Sequence, residues 1–237
     1  MNRLYYGDNL DVLREHVPDA SVDLIYLDPP FNSNRSYNVL FREVNGSAAD
    51  SQITAFDDSW HWGETAEATL REIETTAPPH VVDMMGAIVG FVGRNDVTAY
   101  LVMMTIRLLE LHRVLKETGS IYLHCDPTAS HYLKVVMDTV FGKQCFVNEI
   151  VWQRTNAKGL AFTRFASNHD IILRYAKGSG WTWNPQYAPH DPDYVAKFYR
   201  HVEPDTGRRY QLDNLVNPNR DRPNLTYEFL GGSRVSK

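Results

Sequence analysis

An open α/β fold built on a doubly wound sheet is the fold class that this 237-residue chain predicts, and three observations predict it. Short apolar runs that end in an acid recur, at 22–28 and again at 120–126. Stretches with apolar residues at helical spacing lie between them. Two further apolar runs, 147–153 and 169–175, close the series, and they are expected to form an antiparallel edge of the same sheet.

Each element has its own justification. Residues 3–7 read as a short strand closed by Asp8, and Leu10, Leu13 and Val17 give a short amphipathic helix that stops at Pro18. Val22 to Leu27 is a second strand. It ends in Asp28-Pro29-Pro30-Phe31, a carboxylate followed by two prolines of fixed φ and an aromatic ring, which makes a stiff turn. Residues 32–63 have weak periodicity and many turn formers, and they read as a long loop leaving that turn. A surface helix with acid on its outer side is expected over 64–76, ended by Ala77-Pro78-Pro79. Leu101, Met104, Leu108, Leu111 and Leu115 give the stretch 98–116 one buried helical face, with Gly119 as its stop. The run from Ser120 to Pro127 is a strand finishing in an acid and a proline, and 130–140 is a helix leading to the last two strands. From Gly178 onward Pro, Asp, Asn and Arg become frequent. The expected organisation is therefore one domain over 1–177 and the start of another over 178–237, with no internal repeat.

The turn at Asp28 carries the chemistry. An exocyclic amine on adenine or cytosine is a poor nucleophile because its lone pair is delocalised into the ring. Two acceptors aimed at its two N–H bonds draw the nitrogen towards tetrahedral geometry. The Asp28 carboxylate and the backbone carbonyl of Pro29 are suitable acceptors, and Phe31 supplies a ring to stack on the base. Asp28 need not remove a proton before transfer, because the proton becomes acidic only as the methyl group arrives; positioning carries most of the rate. Asp8 can accept from a nucleoside amine or a ribose hydroxyl, and it is equally suited to cap the helix that starts at Asn9. One residue can do both.

Asp28-Pro29-Pro30-Phe31 resembles the catalytic motif of the amino-group DNA methyltransferases. Tyr5-Tyr6-Gly7-Asp8-Asn9-Leu10, Tyr122-Leu123-His124-Cys125-Asp126-Pro127-Thr128, Phe146-Val147-Asn148-Glu149-Ile150-Val151-Trp152 and Asn168-His169-Asp170-Ile171-Ile172-Leu173 extend the resemblance over most of 1–177. The order resembles the permuted beta class of the restriction-modification systems, in which the catalytic half comes first. That resemblance implies a Rossmann-like doubly wound methyltransferase sheet, the catalytic half over 1–177 and the start of a target-recognition region over 178–237. It implies S-adenosyl-L-methionine as methyl donor, with Asp8 contacting its adenosyl moiety, and Asp28, Pro29, Pro30 and Phe31 as the catalytic turn. Double-stranded DNA is the implied partner; a restriction endonuclease partner and a homodimer are compatible with it.

Such enzymes hold the methionine end of the cofactor with an aromatic-x-Gly-x-Gly loop after a strand. Neither Gly90-Phe91-Val92-Gly93 nor Gly178-Ser179-Gly180 fits that role. In the permuted order the loop follows the target-recognition segment, so this chain is expected to be the front part of a longer enzyme.

Composition narrows the partners. The net charge of −5 hides an asymmetry: residues 1–150 hold 11 Lys and Arg against 21 Asp and Glu, whereas 151–237 hold 13 against 8. The basic part interleaves Arg154, Lys158, Arg164, Arg208 and Arg209 with aromatic residues, a pattern suited to phosphates and unpaired bases. Asn32 and Tyr37, in the loop after the catalytic turn, are further candidates for contacting a flipped base. His124, Cys125 and Asp126 do not make a metal site, because adjacent strand residues alternate faces. Two cysteines form no disulfide framework, and no secretory or membrane segment is evident, so a cytoplasmic location is expected.

The favoured function is site-specific methylation of adenine N6 in DNA, with cytosine N4 as the alternative because both rings present the same amine. A catalytically silent DNA-binding fragment is a third reading. Methylation of an amide or amine in protein or RNA is disfavoured by the acid at position 28, where related glutamine-modifying enzymes tend to carry Asn.

Overall fold

A computed structural model describes residues 2–29, 61–154, 163, 165, 168–213, 226–229 and 233–236, the last two segments as backbone only. The chain divides into two compact units, Met1–Trp183 and Asn184–Lys237.

The first unit is organised around one helix. In chain order it contains α1 (Asn9–His16), β1 (Val22–Leu27), α2 (Glu64–Thr76), α3 (Pro79–Val92), α4 (Asp96–Val114), β2 (Leu115–Cys125), α5 (Ser130–Phe141), β3 (Phe146–Gln153) and β4 (His169–Ala176). Asn95 starts α4 with a reciprocal capping box, its side chain accepting from the backbone of Val97 and Thr98 while the Thr98 hydroxyl accepts from the backbone of Asn95. The expectation of a single buried face is corrected: Ala99, Val102 and Ile106 are buried along with Leu101, Met104 and Leu108. A helix buried over most of its circumference, with Arg107, Glu110 and Arg113 on the remaining side, must be covered by several neighbours. Helices α1, α2, α3 and α5 all pack on it.

Helix α3 was not expected from the sequence. Gly86 and Gly90 weaken the local helical signal, yet Val81, Met85 and Ile88 line one buried face, and burial outweighs propensity. Pro79 sits in its first turn, where a missing N–H costs nothing. Gly93, at φ 85°, ends it in a conformation that side-chain-bearing residues rarely adopt. The helix α4 likewise stops before Gly119, since β2 begins directly at Leu115.

The sheet order is β1-β2-β4-β3, with β1 and β2 parallel and the β2/β4 and β4/β3 pairs antiparallel. The expected antiparallel edge is therefore present. Ile121, Leu123, Cys125, Leu173 and Tyr175 belong to the core shared with the helices. The alternate residues Leu24, Tyr26, Ile150 and Trp152 are exposed.

Residues 3–7 do not form the strand expected of them. A strand needs a ladder partner, and none stands beside this segment among the described residues; Leu4 and Tyr6 are exposed, and the Tyr5 ring stacks on His16 at 5.3 Å. Asp8 therefore follows irregular backbone. Gly178 lies in the turn after β4, where a Cβ would stand 2.7 Å from the Glu117 carbonyl oxygen, so close backbone approach explains this glycine.

The second unit contains α6 (Pro192–Phe198), the hairpin of β5 (His201–Val202) with β6 (Arg209–Tyr210), and the hairpin of β7 (Thr226–Phe229) with β8 (Ser233–Ser236). No helix among the described residues is long and apolar enough to cross a membrane.

Candidate active site

Strand register assembles the site. Leu27 pairs with Leu123, which sets Asp28 beside His124; Cys125 pairs with Ile171 and Trp152 with Asp170. The carboxyl ends of β1, β2 and β3 and the start of β4 thus share one edge of the sheet. Open α/β sheets bind ligands there.

Asp28 projects from that edge with its side chain 60% exposed, whereas Pro29 behind it is buried. A fixed backbone with a free carboxylate suits binding a polar group from solution. The imidazole of His124 places Nδ1 3.1 Å from Oδ1 of Asp28 and Nε2 3.4 Å from Oδ2 of Asp170. Asp170 is buried, and its Oδ1 lies 3.3 Å from Nε of Arg154. The Tyr26 ring borders His124 at 6.4 Å between centroids.

His124 and Cys125 lie on opposite faces of β2, as alternation requires. Burial, joined by the carboxylates of Asp126, Asp170 and Glu149, pushes the Cys125 thiol up to about 12. It holds its proton at neutral pH and is no nucleophile there. Asp126 accepts at Oδ1 from the backbone of Thr128 and Ala129, which shapes the turn into α5.

Asp8 is placed differently. It caps α1, accepting from the backbone N–H of Leu10 at 2.9 Å, and Nη2 of Arg107 lies 2.7 and 2.6 Å from its two oxygens. Arg107 also donates from Nε to the Asn9 side chain. Asp8 thus ties α1 to the central helix α4. A carboxylate offers about four lone-pair sites, and these contacts leave room for one more donor.

The remaining expected residues are dispersed. Arg154 is half engaged with Asp170, at 44% side-chain exposure. Arg208 and Arg209 are exposed in the second unit, at and beside the start of β6. Pro30, Phe31, Asn32, Tyr37, Lys158 and Arg164 lie outside the described residues. Sequence reasoning named His124 and Asp170 within motifs but gave them no role. Only the cross-strand register brings them to Asp28; the one local signal was a histidine immediately before a buried cysteine at a strand end.

The family model described as DNA methylase, of the N6/N4 type, matches residues 22–228. This chain belongs to the DNA methylase family. Relatives of this chain include the Mod subunit of the Type III restriction-modification enzyme StyLTI from Salmonella typhimurium, 29% identical over 203 residues, covering 84% of this chain and 27% of the relative. The Type II methyltransferase M.EcaI from Enterobacter cloacae is 34% identical over 199 residues, covering 84% of this chain and 34% of its own length. M.KpnI from Klebsiella pneumoniae, also a Type II methyltransferase, is 24% identical over 94% of this chain and 43% of its own length. The methylase chain described here spans about a third of the length of the first two relatives.

Proposed function

We propose that this chain carries the catalytic turn of a site-specific DNA methyltransferase that moves a methyl group from S-adenosyl-L-methionine to an exocyclic base amine, adenine N6 first. The observation that supports this most is the exposed Asp28 carboxylate beside the buried Pro29, at the edge of the sheet where strand ends converge. Membership of the DNA methylase family supports the same reading.

The residues present fit the donor. Asp8 retains one acceptor position and is partly exposed, which suits a hydroxyl or amine of the adenosyl moiety. Bound there, the cofactor supplies an electrophilic methyl on a sulfonium. The residues of this chain do the rest. Asp28 accepts from one amine N–H and the Pro29 carbonyl from the other, so the nitrogen lone pair turns out of conjugation and towards the methyl carbon. On transfer, which releases the donor as the neutral thioether, Asp28 would accept the proton that the amine gives up. Phe31 stacks on the flipped base, with Asn32 and Tyr37 near it, while Arg154, Lys158, Arg164, Arg208 and Arg209 contact phosphates. Residues 1–177 serve as the catalytic half and 178–237 as the start of target recognition. The protein works in the cytoplasm, and a restriction subunit and a second copy are the partners that fit such an enzyme.

The test is transfer of labelled methyl to duplex DNA by the chain alone, and then with a fragment spanning the rest of a relative's length. Digestion to nucleosides separates N6-methyladenine from N4-methylcytosine. DNA binding without transfer in either arrangement leaves a silent binding module and overturns the proposal.

A further inference from the structure

The strand register places behind Asp28 two titratable groups to which the proposed transfer gives no role, His124 and Asp170. Nδ1 of His124 faces Asp28 and Nε2 faces Asp170, so one ring stands between two carboxylates. Nε of Arg154 stands 3.3 Å from the far oxygen of Asp170, an ion-pair contact. Four strand ends contribute: Asp28 follows β1, His124 lies in β2, Asp170 in β4, and Arg154 follows β3.

Exposure falls steeply inward. The Asp28 side chain is 60% exposed, His124 17% and Asp170 5%. Burying a carboxylate costs several kcal/mol unless partners compensate it. Stability alone gives no reason for one here, since the opposite face of the same strands is filled by Ile121, Leu123 and Leu173. A polar network kept for stability would close on itself. This one runs between two solvent-facing ends, the Asp28 carboxylate at 60% exposure and Arg154 at 44%, with the half-buried His124 and the buried Asp170 between them.

We infer that His124 is a positioning residue for Asp28. The ring holds Oδ1 and so fixes the rotation of the carboxylate, leaving Oδ2 turned to the incoming amine; Asp170, anchored by Arg154, holds the ring. The inference rests on the reading of Asp28 as amine acceptor. An exposed aspartate samples several rotamers, and fixing one in advance removes that freedom before the base arrives. Misplacing a reacting group by about 1 Å costs on the order of 100-fold in rate. The second carboxylate does for the imidazole what His124 does for Asp28: it selects the ring orientation through the other nitrogen.

Two measurements test this. In nitrogen-15 spectra of histidine-labelled chain, Asp28→Asn is expected to move the His124 Nδ1 resonance and Asp170→Asn the Nε2 resonance. A ring indifferent to both changes overturns the bridge. In the transfer assay, His124→Ala should lower kcat by about 100-fold with KM for DNA and for S-adenosylmethionine within about twofold, and His124→Gln, which keeps an N–H, should recover much of the loss. On top of Asp28→Ala, His124→Ala should add nothing further. An unchanged kcat, or a loss confined to KM, overturns the positioning role. If the parent protein transfers no methyl group at all, the reading of Asp28 falls and takes the kinetic role with it, whereas the ring resonances decide separately whether the bridge exists.

Discussion

Asp8 and Asp28 are the same residue type, each closing a segment near the amino terminus, and the fold treats them oppositely. Asp8 is held from two sides, by the Leu10 amide and by the Arg107 guanidinium, which is only 14% exposed. Asp28 is held from one side, by His124, and its other oxygen has no partner among the described residues. The difference teaches that a carboxylate at an element end is structural where a cation from another helix closes over it. Where one neighbour restrains it and solvent reaches the rest, it is available for chemistry.

The largest expected break in that comparison is functional. Asp28→Ala should lower methyl transfer by about 1000-fold or more while changing stability by less than about 0.5 kcal/mol, because it removes a transition-state contact and little packing. Transfer assays paired with urea melts check both halves; a large stability loss would move Asp28 into the class of Asp8. Next in size, Asp8→Ala should cost about 2 kcal/mol of stability, since it removes a helix cap and the carboxylate partner of a half-buried guanidinium that keeps only Asn9 and the Met103 carbonyl among the described residues. The same urea melts read it. Asn95→Ala isolates the capping share, because Asn95 caps α4 through the backbone of Val97 and Thr98 and pairs with no cation among the described residues. About 1 kcal/mol is expected there, and a cost equal to that of Asp8→Ala would show that Arg107 adds nothing.

The smallest effect is a pH dependence far from both acids. Burial, aided by the Lys177 ammonium, lowers the His112 pKa below its ordinary 6.5. The unfolded ring then binds a proton that the folded ring resists, so the contribution is intact above about pH 6.5 and is lost as the pH falls through that value towards the folded pKa. Thermal melts at pH 7.5 and 5.5 should show His112→Phe losing less stability on acidification than the parent chain. An equal loss would assign the acid sensitivity to the carboxylates instead.

Particular elements show how far the sequence could be read. The strand at 22–27 was legible because a β-branched and apolar run met a proline corner, and the helix at 64–76 because a proline pair stopped it. Strand 3–7 misled, since an apolar aromatic run reads as a strand whether or not a neighbouring strand exists to pair with it. Helix α3 was invisible for the converse reason, as its glycines argue against a helix locally and only packing on α4 and α5 stabilises it. The turn proposed as catalytic was legible as a motif, because consecutive prolines at 29 and 30 mark it in the sequence. The His124 and Asp170 bridge was not, because it depends on residues 46 and 96 positions apart meeting through register.

By itself, then, the sequence determined the alternation of strands and helices, the stiff acidic corner and the basic, aromatic character of its last third. These follow from local sterics, side-chain periodicity and charge, none of which needs a partner. Only the tertiary structure decided which acid is tied to a neighbouring helix and which stands open on one side. That outcome turns on distant groups, Arg107 from α4 over Asp8 and His124 from β2 beside Asp28, and their placement is fixed by how the helices pack and the strands align.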